Sequence, residues 1–261
     1  SKIEKIGGPP TEFLAGTAKA VGPNDEGRLS RVNALVAKYP KGYRLWSGPL
    51  VPVINLVTPE QAQAVLGSRQ EDKMARLCAM WTHVSESVVA CNGPWWKQGR
   101  KLFLHAMHKT VMRDHVAQWT EAVDDFISEL PAKFEKNKSN VLELSDAMAQ
   151  LIVIATLESV FSYKHRSKSD AFATEFFRYA KEADHMLAAR TSNPLHMISP
   201  NWVYALTENG KKYNHCQEVL DNLSQNMIDE RRAIIAEAGP TYFDDKRESG
   251  EYIDLLDRVL E

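Results

Sequence analysis

Apolar residues recur at helical spacing at Leu29, Val32, Leu35 and Val36 and stop at Pro40 and Gly42, which predicts a short first helix. The stretch before it, IGGPPTEFLAGTAKAVGPNDEG over 6–27, is rich in glycine and proline and reads as an irregular lead-in. Over 43–57, YRLWSGPLVPVINLV sets β-branched and aromatic residues on both sides of an SGP turn signal, the pattern of a hairpin. TPEQAQAVLG follows at 58–67. Here Thr58 can cap a helix, Pro59 suits its first position, Gln61 completes a capping box and Gly67 ends it.

The remaining pattern is mostly helical. After Asp114, read as a cap, one stripe carries Val116, Trp119, Val123, Phe126, Ile127 and Leu130. VLELSDAMAQLIVIATLESVF over 141–161 is apolar on most faces, so a buried helix is expected there. Further helices are predicted at about 170–190 and about 207–238, the second with Val219, Leu223 and Met227 at i, i+4 and i+8. TSNPLHMISPNW at 191–202 holds two prolines and reads as a loop. GPTYFDDKRESGEY at 239–252 reads as a polar connector before a final apolar turn, and DERR at 229–232 as a solvated helix end. No internal repeat, low-complexity tract or firm domain boundary stands out.

Composition changes this picture little. A chain of 261 residues, 44% hydrophobic and 25% charged, is long enough to bury a sizeable core. Its formal charge of −2 gives no general reason to expect nucleic acid or an anionic membrane as partner. Cys78, Cys91 and Cys216 are odd in number and widely spaced, without a metal-ligand pattern, so a reducing setting is expected. The longest apolar runs, such as LIVIA at 151–155, fall far short of the roughly 20 residues of a membrane span. No G-x-S-x-G, P-loop or dinucleotide fingerprint occurs, so hydrolase, nucleotide-binding and hydride-transfer readings have no support.

The sharpest local feature is GPWWKQGRKLFLHAMH at 93–108. Trp96 and Arg100 are four apart and share a helix face, with Gly99 expected to leave room for something bulky beside them. An indole N–H and a guanidinium are both pure donors, a combination that suits a carboxylate. Lys97 and Lys101 form a second pair rotated by about 100° from that face, a basic edge extended by Lys109 and Arg113 and suited to an acidic partner. The same Trp–Arg spacing also occurs where a ring packs in a core with a cation stacked at its edge. His105 and His108, three apart, lack a third ligand at helical spacing and read as solvated or half-buried histidines.

This segment resembles the helix C signature of the cytochrome P450 superfamily, G-x-x-W-x-x-x-R-[RK], in which Trp and Arg hydrogen-bond a haem propionate. Other stretches resemble the superfamily in the same order: GGPP its proline-rich hinge, and SVVACNG at 87–93 its B to C loop. YALTENGKKYNHCQEVLDNLSQNMIDERR at 204–232 resembles helix G of family 4, and EYIDLLDRVLE the D-F-I-D-x-L-L stretch before helix I. The resemblance implies a mainly α fold, namely helices A to G plus a small β hairpin. Residues 1–261 would then be a single partial domain ending before helix I.

The resemblance further implies a haem-thiolate monooxygenase that hydroxylates fatty acids or other lipophilic compounds with O2 and electrons from NADPH-cytochrome P450 reductase at the endoplasmic reticulum membrane. By it, Trp96 and Arg100 bind the haem propionate, and Val88 and Val89 line the substrate chamber. Residues 170–210 form its roof, and Lys97 and Lys101 face the reductase. The family's F-x-x-G-x-R-x-C-x-G cysteine segment does not occur in these residues. Cys91 satisfies only the C-x-G part, with Val84, Ser87 and Val89 where Phe, Gly and Arg belong. The helix I acid–threonine pair and the helix K E-x-x-R pair are also missing. The expectation is a chain inactive on its own and prone to associate through the apolar helix at 141–161. The alternative is a non-catalytic helical lipid- or haem-binding, regulatory isoform.

Overall fold

The computed structural model describes residues 2–13, 15–23, 25–48, 51–68, 80, 87–106, 108–137, 141–163, 166–251 and 253–261. They are mainly helical, with one two-stranded antiparallel sheet. The described helices are α1 Ala18–Val21, α2 Arg28–Lys38, α3 Pro59–Leu66, α4 Gly93–Ala106, α5 Lys109–Asn137, α6 Leu144–Val160 and α7 Arg166–Ser192. They continue with α8 Pro194–Ile198, α9 Asn201–Tyr204, α10 Glu208–Ala238, α11 Tyr242–Ser249 and α12 Leu255–Leu260. The chain forms two compact units, one of residues 1–82 with 184–213 and one of 83–183 with 214–261.

In the first unit, β1 Tyr43–Ser47 pairs with β2 Val51–Asn55 in a register running from Tyr43 opposite Asn55 to Ser47 opposite Val51. The hairpin forms where alternation around the turn signal predicts it. The lead-in is more ordered than its glycines suggest. Gly16 bridges to Ser47, and the Thr17 hydroxyl accepts from the Trp46 amide at 2.9 Å while the Thr17 amide donates to the Trp46 carbonyl at 2.9 Å. A Cβ on Gly16, whose φ is +60°, would meet that carbonyl at 2.2 Å, so the close approach requires glycine. Thr58 caps α3 through a capping box with Gln61, as its sequence predicts. Val51, Met80 and Met197 form a small core with Leu187 packed against it.

The stretch 191–202 is not a loop. Asn193 caps α8 by accepting from the amides of Leu195 and His196, Pro194 opens that helix, and Pro200 directly precedes α9. Proline blocks helix interiors but suits helix starts, so these two prolines begin helices. Buried Arg190 holds the segment in place, donating to the carbonyls of His196 and Ser199 and to the Asn201 side chain, with its guanidinium 4.3 Å from the Tyr204 ring centre.

In the second unit, α5 packs against α6, and the Trp119 indole donates to the Ser159 hydroxyl at 2.9 Å. Helix α5 begins five residues before Asp114, so Asp114 lies within the helix and does not cap it. The buried or half-buried face of α5 carries His115, Trp119, Ala122 and Phe126, whereas Val116, Val123 and Ile127 of the predicted stripe are exposed. The described neighbours cover only part of so wide a stripe. The same holds for α6, where Ala147, Leu151, Leu157 and Val160 are buried but Ile152 is 63% exposed. Residues 239–252 include helix α11, so they are more than a connector.

Candidate functional site

Pro94 sits in the first turn of α4, where its missing N–H costs nothing, and the helix then carries Trp96 and Arg100 one turn apart. The Arg100 guanidinium lies over the Trp96 ring, 5.2 Å from its centre. Both side chains border one open concavity of about 510 Å³, shared with Lys97, Lys101, Leu104 and His108. Trp96 is half-buried, and Arg100, Lys97 and Lys101 are exposed. The helical repeat separates the two pairs in rotation, yet the groove is wide enough for all four to border it. Chemically this is a cluster of donors and cations beside the apolar surface of Trp96 and Leu104, suited to an anion on a flat hydrophobic body.

The other predicted residues fall nearby. Val88 is half-buried and Val89 is 65% exposed. Gly99 does not leave free space for a ligand: a Cβ there would stand 2.5 Å from Cγ2 of Val88, so the glycine admits the 87–90 turn against α4. Arg113 is exposed, whereas the Lys109 and His105 side chains lie outside the described residues. Among the described residues, no cluster of three or more His, Cys, Asp or Glu side chains is arranged to hold a metal ion. Cys91 is half-buried, and Cys78 lies outside the described residues. The buried Cys216 thiol donates to Glu182 at 3.7 Å; burial, then the Glu182 charge and hydrogen bond, push its pKa up.

A charge cluster that sequence reasoning missed lies in the same unit. Arg231 is not a solvated helix end: α10 runs on to Ala238, and Arg231 is buried. Its Nη1 donates to Asp254 at 2.9 Å and to Asp257 at 2.6 Å, and its Nη2 to the Phe161 carbonyl at 2.6 Å. Lys246 of α11 donates to the other Asp257 oxygen at 2.6 Å, and the Tyr242 hydroxyl donates to Asp257 at 3.4 Å. Asp254 also caps α12, accepting from the Asp257 amide at 2.8 Å. The signal was present in the sequence, since Arg231 continues the i, i+4 series of Val219, Leu223 and Met227 and therefore lies on the stripe expected to face inward.

Among the described residues, no helix is long and apolar enough to cross a membrane. A family model described as Cytochrome P450 matches residues 6–261. The chain is 22% identical over 260 residues to cytochrome P450 4F1 of Rattus norvegicus, covering 97% of this chain and 48% of the relative. It is 23% identical over 261 residues to leukotriene-B4 omega-hydroxylase 3 of Mus musculus, covering 97% of this chain and 48% of that protein. To cytochrome P450 4B1 of Homo sapiens it is 22% identical over 259 residues, covering 99% and 48%. The chain spans about half the length of the curated relatives it matches.

Proposed function

The chain belongs to the cytochrome P450 family, and from that premise we propose that it is the N-terminal half of a haem-thiolate monooxygenase. Its substrates are fatty acids or related lipophilic compounds, and its electrons come from NADPH-cytochrome P450 reductase at the endoplasmic reticulum membrane. The observation that carries this reading is the pairing of Trp96 with Arg100 at the border of the α4 concavity. The donor chemistry fits the carboxylate edge of a haem: Arg100 supplies a permanent charge and a forked set of N–H groups, and Trp96 a rigid indole N–H and an apolar face. When bound, haem supplies oxygen activation at its iron.

Trp96 and Arg100 orient that group by its propionates, and their stacking keeps both donors on one side of α4. Lys97 and Lys101, exposed on the same helix, offer an acidic reductase a cationic surface. Val88 and Val89 are assigned to the substrate chamber. Both compact units are read as parts of one partial domain, because the family match runs through both. The axial thiolate is assigned to a part of the protein outside these residues, so the 261-residue chain alone is inactive.

Titration of the chain with haem and with haem dimethyl ester tests the propionate contact directly. The free acid binds more tightly, and Arg100→Ala removes about tenfold of that preference, the worth of one charge-assisted hydrogen bond. Trp96→Phe, which keeps the ring but removes the donor, lowers it less. Equal affinity for the two haems refutes the contact. After reduction under carbon monoxide the chain alone gives no thiolate-type Soret band, and a clear one refutes the assignment of the thiolate elsewhere.

A further inference from the structure

The residues of the Arg231 cluster do not line the α4 concavity, yet one element joins the two. Helix α12 packs against α4, and α12 is also held by the buried charges. Asp254 and Asp257 are both 0% exposed and flank Leu255 and Leu256, which are buried too. Two carboxylates face two cations, Arg231 and Lys246, so the cluster is neutral, and each partner fixes a different element. Arg231 belongs to α10, Lys246 to α11, and the Phe161 carbonyl lies just past the end of α6. Leu255 packs with Val160 and Phe161, adding an apolar contact to the charged ones. A short helix such as α12 has little stability of its own, so its place is set by these contacts.

We propose that Arg231, Asp254, Asp257 and Lys246 are positioning residues for the propionate site, setting where α12 lies and, through its packing on α4, how Trp96 and Arg100 are presented. Charge-assisted hydrogen bonds between 2.6 and 2.9 Å hold α12 in one place. A haem-orienting pair is productive only if its helix is equally restrained. The inference rests on the propionate reading, and its test separates the two.

Asp257→Asn keeps the side-chain shape and removes the charge that Arg231 and Lys246 share. Lys246→Gln, at the more exposed edge of the cluster, serves as the second variant should the first fail to fold. Two quantities are measured in the full 261-residue chain: the haem to haem dimethyl ester affinity ratio, and amide hydrogen exchange. The expected result is faster exchange in both 255–260 and 93–106, unchanged exchange in 116–130, and a loss of about tenfold in the affinity ratio, one charge-assisted contact. Faster exchange in 255–260 with unchanged exchange in 93–106 overturns the inference. So does faster exchange in 93–106 with a wild-type affinity ratio. A wild-type chain that does not distinguish the two haems defeats the propionate reading itself, and the exchange in 93–106 still decides whether the cluster restrains α4.

Discussion

Gly99→Ala tests the packing of α4 against the turn that carries Val88. The added methyl would stand 2.5 Å from Cγ2 of Val88, well inside the carbon–carbon optimum of about 3.5–4.0 Å. Valine is stiff at χ1, so the strain cannot be relieved by a cheap rotamer change, and the turn has to move off the helix. Overpacking of this kind costs about 1–3 kcal/mol. Replacing a helical glycine by alanine returns about 0.8–1.0 kcal/mol. At the middle of these ranges the steric term wins, for a net loss of about 1 kcal/mol.

Val88→Ala alone removes part of a half-buried side chain and costs about 1 kcal/mol. In the double variant the new methyl enters the space that Val88 vacates, and the helix-propensity gain is recovered. The double variant is therefore more stable than the sum of the singles predicts, by about 1–2 kcal/mol. Urea denaturation followed by far-UV circular dichroism gives all four corners of the cycle. Additivity within about 0.3 kcal/mol would falsify the contact. An increase in stability for Gly99→Ala alone would refute the ranking of the two terms.

Arg231→Met strands the fully buried Asp254, leaves Asp257 with Lys246 as its one cation among the described residues, and costs about 3–5 kcal/mol. Lys212→Ala, which breaks an exposed pair with Glu208, leaves the melting temperature nearly where it was, and similar melts for the two variants refute the burial argument. Burial opposes the Lys246 ammonium, but its bonds to Asp257 and Tyr242 and their charges outweigh that effect, so it titrates above the ordinary lysine value of 10.5. A cation whose pKa is raised by folding contributes stability that is complete below its unfolded value and lost as pH rises through its folded one. Alkaline unfolding above pH 10.5 is therefore steeper in the wild type than in Lys246→Gln, and identical profiles contradict this. The Cys216 thiol, raised by burial and by Glu182, reacts with iodoacetamide far more slowly in the folded chain than in urea, and equal rates show it to be accessible.

The features legible in the sequence are those whose physics is local. Thr58, Pro59 and Gln61 specify a helix start because their effects reach no more than four residues along the chain there, and the hairpin at 43–55 follows from alternation around one turn. The long helices were visible for the same reason, and the Trp96–Arg100 pairing follows from one helical turn. Proline misled at 191–202 because the residue that ends a helix also begins one, and the Asn193 cap decides which.

Tertiary structure alone decided what meets each face. Gly99 reads as room for a ligand until residue 88 is brought against it, and Arg231 reads as a solvated charge until Asp254 and Asp257 arrive from 23 and 26 residues away. Sequence determines which side chains share a helix face, because a helix repeats every 3.6 residues. Which of those faces is buried depends on partners distant in the chain, and a buried charge is tolerated only where such a partner neutralises it.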